Sequence, residues 1–166
     1  FLFEEVVSLE KKENGDTKFS VKTASGKEIN AKAVILGFGL TPRNLGVPGE
    51  IELTGKGVTY CATCDGMFFK WRDIIMVGWG NTAITEALYL SDICNKVYLV
   101  HRRDTFRAED SWIDKAKEKE NIEFVLNEEV EEITWDVMWM TWATLKSGKT
   151  LKADWIFVAV GTIPNV

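Results

Sequence analysis

Cys61 and Cys64 are separated by two residues and followed directly by Asp65, and no other part of the chain is better equipped for chemistry. In a pair so spaced, one thiolate can attack a disulfide of a second molecule and the other can resolve the mixed disulfide. In a chain with three cysteines, the spacing reads as a redox dithiol/disulfide couple. Two other readings use the same residues. A zinc site would need four ligands, and beyond the pair the chain offers only Cys94 and its single histidine, His101, so no metal is expected. The cysteines could also be two small buried hydrophobes. Cys94 itself reads as a buried side chain at a helix end.

A second constellation begins at Gly78-Trp79-Gly80-Asn81-Thr82-Ala83. It follows a short apolar strand, Asp73 to Val77, and opens an apolar-rich helix, Ile84 to Leu90; Lys96 to Val100 then reads as another strand. That order is a βαβ unit with its glycine turn at the helix N-terminus, the context in which such a turn holds a dinucleotide. Gly78 permits the tight turn, Gly80 lets backbone approach a pyrophosphate, and Ala83 allows close helix–strand packing, while free amides favour the anion. The large Trp79 is expected to crowd the pyrophosphate approach.

The second strand ends in His101-Arg102-Arg103, with Arg107 four residues after Arg103. An acid there would bind the ribose 2′-hydroxyl of NADH; three guanidiniums suit the 2′-phosphate of NADPH. His101 reads as a ring packed near adenine or ribose. The bland alternative is a solvated basic turn balanced by Asp104 and Glu109.

The elements that position these residues show an internal echo. Gly26 and Gly148, Ala31 and Ala153, Gly39 and Gly161, and Pro42 and Pro164 share one constant offset. Each copy carries a Ser-Gly-Lys turn and an apolar stretch, Ala33 to Leu36 or Trp155 to Val158, ending near a glycine and a proline. Each reads as a β-meander closed by a buried strand. A helix from about Ser111 to Lys119 follows the βαβ unit, and Ile122 to Val125 reads as the strand that starts the second meander. The segment Thr134 to Trp142 shows no clear hairpin turn and is apolar in both strand phases. It is either a strand buried on both faces or an exposed aromatic patch. The expected fold is α/β, a Rossmann-like three-layer NAD(P)-binding domain with a β-meander, preceded by a second β-meander.

Bulk properties narrow the setting. At 166 residues and 46% hydrophobic, the chain can bury one good core or two small ones. A formal charge of −5 with interleaved basic residues argues against nucleic-acid binding. No apolar run nears the ~18–20 residues of a membrane span, and Phe1-Leu2-Phe3 passes at once to Glu4-Glu5 rather than into a leader, so a cytoplasmic protein is expected.

These residues resemble the low-molecular-weight thioredoxin reductases, pyridine-nucleotide flavoprotein disulfide reductases. The likeness lies in Thr41-Pro42-Arg43-Asn44, Val47-Pro48-Gly49-Glu50, Tyr60-Cys61-Ala62-Thr63-Cys64-Asp65-Gly66, the glycine turn, His101 to Ala108, and Phe157 to Asn165, in family order. The resemblance implies Cys61 and Cys64 as the redox disulfide, with Cys64 the partner of the flavin and Asp65 the acid that protonates a leaving thiolate. It implies Gly78, Gly80, Asn81, Thr82, Ala83, His101, Arg102, Arg103, Arg107 and Gly161 at the NADPH site. Electrons would pass from NADPH through FAD and the disulfide to thioredoxin or a similar protein disulfide, in an enzyme that is a homodimer when complete. Residues 1–53 would be an FAD-domain remnant and linker, and 54–166 the NADPH-binding domain. On this reading the chain is a portion of such an enzyme and by itself inactive. Departures from the family pattern are Phe38 and Trp79, with Trp71, Trp135, Trp139, Trp142 and Trp155. They leave a second reading, a non-catalytic module that uses a tryptophan-rich surface for binding or self-association.

Overall fold

The computed structural model describes residues 1–13, 16–136 and 140–165. In chain order the strands are β1 Val6–Lys11, β2 Phe19–Thr23, β3 Glu28–Ala31, β4 Leu40–Pro42, β5 Val58–Thr59, β6 Asp73–Gly78, β7 Lys96–His101, β8 Ile122–Leu126, β9 Val130–Trp135, β10 Met140–Leu145, β11 Thr150–Lys152, β12 Trp155–Ala159 and β13 Thr162–Pro164. The helices are α1 Ala62–Asp65, α2 Asn81–Ser91 and α3 Asp110–Lys117, and a 3₁₀ turn, Gly66–Phe69, follows α1. The described chain forms two compact units, residues 1–39 and 40–165. Among the described residues no helix is long and apolar enough to cross a membrane.

The first unit is an antiparallel meander in the order β1-β2-β3. In the second, five parallel strands run in the order β5-β12-β6-β7-β8. Alternation along these strands divides the core into two faces. Ile74, Met76, Val97, Leu99 and Phe157 pack with Ala83, Ile84, Ala87 and Leu90 of α2 and with Ile113 and Ala116 of α3. Ile75, Val77, Val100, Ile156 and Val158 face the other way, onto Val130, Ile133, Ala143, Leu145 and Leu151 of the β9-β10-β11 meander. Helices, parallel sheet and meander are the three expected layers. Each fully buried Ile, Leu or Val in them contributes roughly 1.5–3 kcal/mol.

The echo between the two copies is physical. Gly26 and Gly148 have φ of +84° and +85°, a left-handed conformation that glycine adopts without steric cost. Each donates its N–H to the matching carbonyl, Thr23 at 2.9 Å and Leu145 at 2.8 Å. The short segments that carry Pro42 and Pro164 also pair with each other: β4 and β13 are antiparallel, with Thr41 opposite Ile163.

Two expectations are corrected. Ala33 to Leu36 forms no strand, and Ile35 is 98% exposed, whereas the matching β12 lies between β5 and β6. A strand is made by its partners, and among the described residues this stretch has no strand beside it. The segment Thr134 to Trp142 does double back, because β9 and β10 pair antiparallel with Ile133 opposite Ala143 and Thr134 opposite Trp142. Ile133 and Ala143 are buried while Trp135 and Trp142 are exposed, so the paired strands are neither buried on both faces nor wholly an exposed patch. Val137, Met138 and Trp139 lie outside the described residues.

Candidate functional site

The cysteine pair sits where β5 gives way to α1. Cys61 caps the helix, its sulfur accepting the Cys64 N–H at 3.2 Å, and the two sulfurs are bonded with Cα atoms 5.3 Å apart. Cys64 is exposed and Cys61 half-buried. Thr59 donates its hydroxyl to the carboxylate of Asp65. On the other side of Cys61, the Tyr60 hydroxyl donates to Glu50 at 3.0 Å. Glu50 is fully buried, and its carboxylate also accepts the N–H groups of Leu45 and Gly46 at 2.8 and 2.7 Å. Three donors offset the cost of taking that group out of water. Burial, aided by Glu50, pushes the Tyr60 hydroxyl up to about 12. Directly after the disulfide come three exposed apolar side chains, Met67, Phe68 and Trp71. Cys94 is buried and unpaired, and burial, helped by Asp73, pushes its thiol up to about 11.

The glycine turn joins β6 to α2, with Gly80 capping the helix. A β-carbon on Gly78 would stand 2.5 Å from the Ala159 carbonyl oxygen and 2.6 Å from Ala83 Cβ. One on Gly80 would meet nothing within 4 Å. The first glycine therefore permits packing, and the second leaves open space at the first amides of an eleven-residue helix. A bound pyrophosphate needs that vacant approach, so the residues present fit a dinucleotide.

At the end of β7, His101 is buried, and its Nε2 donates to the Thr105 carbonyl at 2.9 Å. Burial first of all, with Arg102 and Arg103 adding to it, holds its pKa below the usual value. Gly78, Trp79, His101 and Arg102 line an open cavity of about 210 Å³, with Asn44 and Glu128 also in its lining. Arg103 and Arg107 stand outside that lining; the Arg103 carbonyl accepts from Asn127, and the Arg107 N–H donates to the Trp79 carbonyl at 3.0 Å. Among the described residues none of the three arginines forms an ion pair. Glu109 is instead held by Asn81, which accepts its N–H at 2.8 Å and donates to its carboxylate at 3.2 Å. Thr82 and Ala83 occupy the first turn of α2, and Ala83 is buried. Gly161 is not in that lining but follows Val160, which is, and its carbonyl accepts the Arg43 N–H at 2.9 Å. Sequence reasoning missed Thr59 and Glu128 and quoted Glu50 only as part of a motif, because the groups each one meets, such as Leu45, Gly46 and Tyr60 around the Glu50 carboxylate, are set by the fold.

The family model for pyridine nucleotide-disulphide oxidoreductases matches residues 1–166. The chain belongs to that family. A thioredoxin reductase of Listeria monocytogenes is 43% identical over 152 residues, covering 89% of this chain and 48% of the relative. One from Helicobacter pylori is 38% identical over 162 residues, covering 95% and 52%. The solved thioredoxin reductase of Giardia duodenalis superposes with a TM-score of 0.82 at 34% identity, covering 97% of this chain and 53% of the neighbour. The chain thus spans about half the length of the relatives it matches.

Proposed function

We propose that this chain is the NADPH-binding, CxxC-bearing part of a thioredoxin-disulfide reductase, with residues 1–53 belonging to the flavin half and 54–166 to the nucleotide half. The observation that carries the reading is the bonded, solvent-reachable Cys61–Cys64 pair on the same compact unit as the glycine turn. When bound, NADPH supplies a hydride equivalent, which FAD relays in the family's flavoproteins. Gly80 and the α2 amides would hold its pyrophosphate, and Arg102, Arg103 and Arg107 its 2′-phosphate. The described residues of the first unit form a meander without a glycine turn opening a helix, so no step is assigned to a flavin on them.

Reduction of the pair gives two thiols. The Cys64 N–H aimed at Cys61 Sγ favours negative charge on that sulfur, so Cys61 is the attacking thiolate. It bonds to one sulfur of the partner's disulfide and expels the other as a thiolate, which takes a proton. Cys64 then attacks Cys61 Sγ in the mixed disulfide, restoring the Cys61–Cys64 bond and releasing the partner as a dithiol. On this reading Asp65, whose carboxylate accepts from Thr59, exchanges the protons. The exposed Met67, Phe68 and Trp71 suit a protein partner such as thioredoxin, and a reducing, cytoplasmic compartment suits a pair that must cycle. Dimerisation belongs to the same reading.

The test is titration with NADPH and NADH, read by calorimetry, alongside an absorbance scan for flavin and a thioredoxin-disulfide exchange assay on the reduced protein. Nucleotide binding with disulfide exchange supports the proposal. A protein that binds neither nucleotide and whose reduced pair leaves thioredoxin disulfide intact refutes it.

A further inference from the structure

Trp79, between the two glycines of the turn, carries its indole toward the end of β7. Its ring centre lies 5.5 Å from that of His101, and the Arg102 guanidinium carbon sits 4.6 Å from the indole centroid, over the ring. The support beneath is rigid. His101 is buried, tied to the Thr105 carbonyl and packed 5.2 Å from Phe106, which meets Phe124 edge-on at 5.8 Å. Glu128 and Glu129 also line the cavity, and the Lys146 contact holds the Glu129 carboxylate below the usual range, with the Arg102 charge adding to it through space. Glu129 is already paired with Lys146 at 2.6 Å. Arg102 makes no hydrogen bond or ion pair among the described residues.

From this arrangement we infer that Trp79 is a positioning residue, a stacking platform that holds the Arg102 cation at the cavity for the 2′-phosphate of the adenosine ribose. A guanidinium stacked by its face keeps its in-plane N–H donors free, the geometry a phosphate accepts in bidentate fashion. Stacking also removes rotamer freedom from an exposed, flexible side chain before the ligand arrives, so less ordering is left for binding to supply. The inference rests on the NADPH reading above and deepens it. It also revises the expectation that the indole crowds the pyrophosphate, because the ring is turned to the ribose end of the site.

The test uses adenosine 2′,5′-bisphosphate and 5′-AMP as probes, titrated calorimetrically into wild type, Trp79→Leu, Trp79→Phe, Arg102→Ala and the double variant Trp79→Leu/Arg102→Ala. Trp79→Leu should weaken the bisphosphate about three- to thirtyfold, the range a cation–π contact supplies, and leave 5′-AMP unchanged. Trp79→Phe should retain most of the affinity. In the Arg102→Ala background, Trp79→Leu should cost nothing further, an outcome that mere unfolding or a purely structural role would not give. Equal or tighter bisphosphate binding by Trp79→Leu, or an equal loss in both backgrounds, overturns the inference while the NADPH reading stands. A wild type that shows no preference for the bisphosphate over 5′-AMP defeats the NADPH reading, and the inference with it.

Discussion

Gly78 and Ala83 meet across the first turn of α2 so closely that a β-carbon on Gly78 would lie 2.6 Å from that of Ala83. Gly78→Ala should therefore force strand and helix apart and lower stability by about 1–3 kcal/mol. Gly80→Ala, whose new methyl enters open space, should unfold within about 1 kcal/mol of wild type yet bind NADPH more weakly. Urea midpoints and nucleotide titrations on both variants separate the packing glycine from the ligand-facing one.

Thiol counting should resolve the three cysteines into two classes. The oxidised native protein should show no reactive thiol, reduction should expose the Cys61 and Cys64 pair, and Cys94 should react only after denaturation, because it is buried. If Cys61→Ser leaves the reduction-dependent change intact, the redox assignment is wrong.

Nucleotide preference should favour NADPH. Arg103→Ala or Arg107→Ala, each removing one charge-assisted contact, should cost ~1.5–3 kcal/mol, about ten- to a hundredfold in NADPH affinity, and spare NADH. Equal affinity for the two nucleotides would exclude the arginine cluster as a phosphate site.

Trp71 is exposed yet has φ of +66°, a left-handed conformation that a bulky side chain adopts only at a cost. Trp71→Gly should raise stability by about 1 kcal/mol, the strain relieved outweighing the entropy glycine gains in the unfolded chain. Loss of stability in denaturant titrations would mean that the indole makes up for its backbone by packing.

Alkaline pH should weaken the fold. The folded state keeps Cys94 and Tyr60 neutral, with pKa values raised to about 11 and about 12, while the unfolded chain ionises them near 9 and 10. A raised folded-state pKa gives stability that is complete below the unfolded value and lost as pH climbs through the folded one. Stability should hold to about pH 9 and fall from there toward 12. Cys94→Ala should flatten the first part of that decline, measured by urea unfolding at pH 8 and pH 10.5.

Much of the fold was legible because period and punctuation carry it. The βαβ unit around Gly78 could be read from an apolar strand, a glycine turn and a helical stripe, and the Ser-Gly turns at Gly26 and Gly148 proved to share one backbone conformation. Where a partner decides the outcome, the sequence was silent. Ile35 and Ile156 sit in similar apolar stretches, but among the described residues only Ile156 has neighbouring strands, so only the second stretch is a strand. The pairing of β4 with β13 joins two exposed three-residue segments that show no alternation worth reading. At the site, residue types gave the cysteines and arginines, but the direction of the Trp79 ring depends on its rotamer and on the His101 surface beside it.

The Glu50 carboxylate ties the Leu45-Gly46 backbone to Tyr60, the residue next to Cys61, with hydrogen bonds alone. Covalent closure between Cys61 and Cys64 spans a loop so small that it restricts the unfolded chain little. The division of labour follows from this: the sulfur bridge is free to serve as a consumable, opened and remade each cycle, while an anchor with no redox chemistry holds its frame. Reductant can empty the site of its oxidising power and leave the architecture around it undisturbed.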